Sequence, residues 1–200
     1  MKNNKSFKSK ILLFGEYSII QNSMGLTIPF DFYKGKLTFK SRNFSEEQAK
    51  ESNNDLRKYA KFLREKIDTN GFSFSFDIDA LERDLEKGLI FDSTIPQGFG
   101  VGSSGALVAA LYDRYAFDKI YNEEEPSGEQ ILQLKGYFSE MESFFHGTSS
   151  GIDPLICYLQ HPLLIKSKTA IDAVDIPEST AKGNGGIFLI NTGQIGKTQP

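Results

Sequence analysis

Pro96-Gln97-Gly98-Phe99-Gly100-Val101-Gly102-Ser103-Ser104-Gly105-Ala106 runs straight into Leu107-Val108-Ala109-Ala110-Leu111. The alternating glycines let the backbone take positive φ and approach a ligand closely. Two serines then open an apolar, helix-forming run, which predicts a helix from Ser103 to Phe117. A helix that starts directly on such a loop turns its unpaired N–H groups and the positive end of its dipole outward. That is an anion site, and phosphate is the usual anion. The hydroxyls can bond phosphate oxygens or ligate Mg²⁺, a hard cation that prefers oxygen. The stretch is neither common nucleotide pattern: it lacks the Lys that ends a Walker A loop, and Ser103 stands where a dinucleotide fingerprint has its third Gly. On its own it reads equally as a bare structural turn.

Upstream, Leu89 to Ser93 reads as a strand that feeds this loop. Lys10 to Phe14 reads as a buried strand stopped by Gly15. Leu26 to Phe39 reads as strands of a hairpin or meander, with Gly35 as the bend. Leu56, Tyr59, Phe62, Leu63 and Ile67 recur at spacings of three and four, which predicts an amphipathic helix within Ser45 to Asp68. Its first part, Glu46 to Asn54, reads as a solvated loop or a frayed helix. Phe72 to Ile78 alternates strictly, as a half-buried strand does, and Ala80 to Lys87 reads as a short helix. Downstream, Gly128 to Phe145 carries Ile131, Leu134, Phe138, Met141 and Phe145 at helical spacing. A short helix is expected to start near Ser150, and strands at Leu163 to Ile165 and Ile187 to Ile190. Ile176 to Gly186 is the best linker. Strands come first and helices later, an α+β order.

Two hundred residues make one large domain, or one domain with part of another, and can bury a real core. A net charge of −3 implies no broad basic surface, which argues against nucleic acid as a partner. The single cysteine, Cys157, lies in the apolar run Pro154-Leu155-Ile156-Cys157-Tyr158 and reads as a buried core thiol. No segment is long enough to span a bilayer, and Ile11-Leu12-Leu13-Phe14 is too short for a signal-peptide core. The expectation is a cytoplasmic protein with no membrane partner.

Two further clusters carry chemistry. In Lys10-Ile11-Leu12-Leu13-Phe14-Gly15-Glu16-Tyr17, a Lys enters a buried strand and a Glu leaves it. Either both are surface residues, or both line one end of a pocket. In Glu142-Ser143-Phe144-Phe145-His146-Gly147-Thr148-Ser149-Ser150-Gly151-Ile152-Asp153, Glu142 sits on the edge of an apolar helix face. That carboxylate either reaches for water or points into a site. His146-Gly147 ends the helix, the Thr-Ser-Ser run can cap the next one, and Asp153 falls in that helix's first turn. There Asp153 either complements the dipole or serves chemistry.

Together and in this order, the three clusters resemble the GHMP small-molecule kinases, and most of all the mevalonate kinases. The loop Pro96-x-x-x-Gly100-Val101-Gly102-Ser103-Ser104-Gly105 is similar to that superfamily's second motif at every defined position. Lys10 with Leu13-Phe14-Gly15-Glu16 resembles the opening motif, and Glu142 … His146-Gly147-x-x-Ser150-Gly151-Ile152-Asp153 resembles the acidic motif. The resemblance implies an α+β GHMP N-terminal domain over 1–176, with a linker and the first strand of a C-terminal α/β domain over 177–200. It implies ATP and Mg²⁺ as cofactors and the hydroxyl of a small metabolite as acceptor, mevalonate first, with another member such as phosphomevalonate kinase or a non-catalytic binding relative as alternatives. Pro96, Gly98, Gly100, Val101, Gly102, Ser103, Ser104 and Gly105 would hold the phosphates. Ser104 and Glu142 would hold Mg²⁺. Asp153 would take or orient the hydroxyl proton, with Lys10 beside it. Glu16, Tyr17, His146, Gly147 and Ser150 would lie near the acceptor, and the family's habit suggests a homodimer.

There are departures. Lys8-Ser9 replace a usual Pro-Gly, Tyr17 replaces the His common in mevalonate kinases, and Ser149 stands where Pro is frequent. The third glycine-rich motif of the second domain is absent, so the chain is expected to be a fragment or a shortened relative, weak or inactive by itself.

Overall fold

A computed structural model describes residues 5–15, 24–69, 71–121, 126–175 and 190. The frame is an antiparallel five-stranded sheet built on one long strand. That strand, β2 (Gly25–Thr38), pairs along one edge with β1 (Phe7–Phe14), from Phe7↔Gly35 to Phe14↔Leu26. Its other edge is shared. Gly35 to Thr38 pair with β3 (Ile90–Ser93), and Gly25 to Thr27 pair with β4 (Leu163–Ser167). A final hairpin adds β5 (Ala170–Ala173) beyond β4.

Among the described residues, five helices pack with this sheet: α1 (Glu46–Asp68), α2 (Ile78–Glu86), α3 (Ser103–Tyr115), α4 (Gly128–His146) and α5 (Ile152–Leu159). Helix α3 packs against β1, β2, α4 and α5. It is apolar nearly all round, and Val108, Ala109, Leu111 and Tyr112 are fully buried. A helix of that composition can only lie in a core. Leu134, Phe138 and Met141 of α4 and Leu155 to Tyr158 of α5 close over it. The Tyr112 ring meets Phe138 and Tyr158 edge-on at 5.1 and 5.2 Å. The α+β class read from the sequence holds.

Local readings differ from the structure in several places. Phe72 to Ile78 is not a strand. Only Phe76 pairs, with Ala116, because the segment runs past the end of α3 rather than along the sheet. Its alternation serves packing: Phe74 rests on Tyr112 and Tyr137, and Asp77 caps α2 by accepting the Ala80 N–H. Gly35 is no bend. β2 runs through it, and a Cβ there would lie 2.2 Å from Phe91 Cζ, so the glycine makes room for that ring. Glu46 to Asn54 is helical from its first residue, because Ser45 and Gln48 form a capping box. Phe145 is 36% exposed instead of core, and Phe14, at the strand's end, is 69% exposed. The short β5 has no sequence signal of its own. The strand expected at Ile187 to Ile190, the linker from Ile176 and the 177–200 domain start lie outside the described residues, apart from Ile190.

Candidate active site

The glycine loop connects β3 to α3. Gly98, Gly100 and Gly102 all take positive φ, at 80°, 68° and 84°. Gln97 to Gly100 are exposed, whereas Val101 and Gly102 are buried. The Lys10 N–H donates to the Val101 carbonyl at 3.0 Å, which ties the loop to β1. Gly102 is the N-cap of α3 and offers no side chain to the first-turn N–H groups, and no acidic residue sits in that turn. The first turn of this core helix thus carries neither a capping side chain nor an acidic residue of its own.

Close packing explains the remaining glycines. A Cβ on Gly102 would lie 2.8 Å from Lys10 Cγ and 3.3 Å from Cys157 Sγ. The buried Lys10 stem passes through that gap, and its Nζ reaches Asp153 Oδ1 at 2.9 Å. A Cβ on Gly105 would come within 2.8 Å of the Asp153 carbonyl carbon, so the starts of α3 and α5 touch. Helix α5 begins on Gly151, at φ 72°, rather than on a serine cap. A Cβ there would lie 2.1 Å from the Lys135 carbonyl oxygen. Asp153 thus sits in the first turn of α5, favoured by the helix dipole and by the lysine ammonium.

Glu142 points inward and is 3% exposed. Its carboxylate lies between two hydroxyls: Ser104 donates to Oε1 at 3.3 Å, and Ser149 donates to Oε2. Burial pushes its pKa up to about 7 and the nearby Asp153 charge adds to this, against the pull of Ser149, Ser104 and Lys10. The backbone behind it is pinned, because the buried Tyr59 hydroxyl donates to the Met141 carbonyl at 2.9 Å. Among the described residues, no group of three or more His, Cys, Asp and Glu side chains could hold a metal. One carboxylate with one hydroxyl suits Mg²⁺, which usually keeps waters and takes its other ligands from phosphate.

The structure therefore brings Lys10, Asp153, Ser104 and Glu142 together at the joined starts of α3 and α5, beneath the loop from Pro96 to Gly105. His146 is not drawn in: it is exposed, with its ring 6.3 Å from that of Phe145. Gly147, at φ 69°, ends α4, and the exposed Ser150 accepts the Ile152 N–H at 3.3 Å. Glu16 and Tyr17 lie outside the described residues. Cys157 is fully buried, its thiol pKa raised by that burial, and it donates to the Gly102 carbonyl at 3.7 Å. Sequence reasoning missed Tyr59, whose partner lies far along the chain, and read Ser149 only as part of a capping run and a departure from the motif, not as a partner of Glu142.

A family model described as GHMP kinases N terminal domain matches residues 54–161. No curated protein sequence matches the chain. Among solved structures, Methanococcus jannaschii mevalonate kinase aligns at 15% identity and a TM-score of 0.48, covering 87% of this chain and 56% of that one. Mevalonate kinase from methicillin-resistant Staphylococcus aureus aligns at 18% identity and a TM-score of 0.42, covering 84% and 54%. A mevalonate kinase from L. major, in complex with R-mevalonate, aligns at 16% identity and a TM-score of 0.42, covering 82% and 48%. The chain spans about half the length of these solved structures.

Proposed function

Because the chain belongs to the GHMP kinases, we propose that it forms the ATP- and Mg²⁺-binding part of a kinase that phosphorylates a hydroxyl on a small metabolite, mevalonate first among candidates. The observation that carries this reading is the Lys10–Asp153 ion pair at 2.9 Å, held beside the Ser104–Glu142 hydrogen bond where α3 and α5 begin. Phosphoryl transfer to an alcohol needs positioning, charge neutralisation and a group to receive or orient the hydroxyl proton.

Each need has a candidate. Backbone N–H groups of the loop from Pro96 to Gly105 and the positive end of α3 receive the phosphates. Ser104 and Glu142 hold Mg²⁺. When bound, Mg²⁺ and ATP supply the neutralising charge and the transferred group. Asp153 takes or orients the hydroxyl proton. Lys10 fixes that carboxylate and offsets negative charge. Glu16, Tyr17, His146, Gly147 and Ser150 are the proposed surroundings of the acceptor. Residues 1–176 form the N-terminal domain in this reading, and 177–200 lead into a second one. No helix among the described residues is long and apolar enough to cross a membrane; a cytoplasmic site is part of the proposal.

The test is ADP release in a coupled assay with mevalonate, phosphomevalonate, galactose and homoserine, using the protein encoded by the whole gene. Turnover with one acceptor is expected, and Asp153→Asn should abolish it while ATP affinity stays. ATP binding without turnover on any acceptor would point instead to a non-catalytic relative.

A further inference from the structure

Ser149 makes bonds that neither the glycine loop nor the Lys10–Asp153 pair accounts for. Its hydroxyl donates to Glu142 Oε2 and accepts the Gly151 N–H at 3.1 Å. Its carbonyl accepts the Ser139 hydroxyl at 2.6 Å, which fastens residue 149 to the α4 turn behind it. A single side chain therefore touches both the buried carboxylate on α4 and the residue that starts α5. Glu142 is almost wholly buried, so its orientation depends on these few partners. With Oε2 occupied by Ser149, Oε1 is left turned toward Ser104. Gly151 itself packs closely on α4, since a Cβ there would lie 2.1 Å from the Lys135 carbonyl oxygen and 2.7 Å from the Ser139 nitrogen.

We propose that Ser149 is a positioning residue: it holds Glu142 with one oxygen presented beside Ser104 for a divalent cation, and ties that carboxylate to the α5 start that carries Asp153. The inference rests on the Ser104–Glu142 cation site proposed above. Ser149 need not touch the cation. Removing a hydrogen bond that orients a ligating group costs about 10- to 100-fold in metal affinity or activity.

The experiment measures Mn²⁺ binding by electron paramagnetic resonance, with a non-hydrolysable ATP analogue, on the protein encoded by the whole gene. Ser149→Ala should weaken Mn²⁺ binding by about 10-fold or more, and Ser149→Thr, which keeps the hydroxyl, should restore most of it. Thermal unfolding of each variant separates this effect from loss of the fold. Wild-type affinity in a folded Ser149→Ala chain, alongside lost binding in Glu142→Gln, overturns the role of Ser149 and leaves the cation site standing. Equal binding, or none, in wild type and Glu142→Gln overturns the cation site itself and the inference with it.

Discussion

Gly102→Ala should damage this protein in two separable ways. At φ 84° an L-residue is strained by about 1–2 kcal/mol. The new Cβ also falls 2.8 Å from Lys10 Cγ and 3.3 Å from Cys157 Sγ. Lys10 cannot swing clear easily: the stem grows from β1, and its far end is held by Asp153. Forcing a methyl group into such packing costs about 1–3 kcal/mol more. The sum is about 2–5 kcal/mol, read from urea unfolding.

Gly100→Ala and Gly88→Ala are the controls. Both glycines have positive φ, at 68° and 84°, but an added Cβ meets nothing within 4 Å. Each should lose only the strain of about 1–2 kcal/mol. If Gly102→Ala loses no more than these two, the lysine stem does not depend on that gap, and the packing argument for the site fails.

Gly151→Ala meets backbone rather than side chain, with Lys135 O at 2.1 Å, so it should be worse than Gly102→Ala and leave little folded protein by circular dichroism. Glu142 gives a pH signature. Its folded pKa of about 7 lies above its ordinary 4.5, so the folded chain keeps a proton that the unfolded chain releases. Stability from this group should therefore fall as pH rises from about 4.5 to about 7, by roughly 3 kcal/mol, and then level off. Urea unfolding of Glu142→Gln across that range should lack this slope; an identical slope in both chains refutes it. Lys10→Met should cut turnover on the order of 100-fold or more while nucleotide titration shows affinity nearly unchanged.

Much of the site was legible because its chemistry lies in contiguous runs. The loop from Pro96 to Gly105 and the cluster from Glu142 to Asp153 each stand out as a run, but each alone also reads as ordinary structure, and only their order together pointed to a site. Lys10 was legible only through the order of the motifs, since a lysine before a strand is ordinary by itself. What stayed hidden were contacts that only folding creates: the Tyr59 hydroxyl on the distant Met141 carbonyl, the fit of Gly35 against Phe91, and, within one run, the turn that brings Ser149 back onto Glu142. A glycine's reason for being glycine can be a neighbour's ring as well as its own φ, and the sequence does not say which. Phe72 to Ile78 failed for a related reason. Alternation reports which side chains are buried, and here a helix end buries them without a partner strand.

Helix α3 is both deeply enclosed and the helix whose first turn faces the proposed phosphate. The energy needed to open a segment follows its burial, so α3 should release its amide protons only when the whole domain unfolds. The anion cradle inherits that protection at one end, through Gly102, and is fastened to β1 by the bond from Lys10 to Val101. The proposed cradle is thus expected to show no melting transition of its own. Heat, denaturant or a destabilising mutation at a distance would change how many molecules hold a cradle, and leave its shape in the survivors untouched.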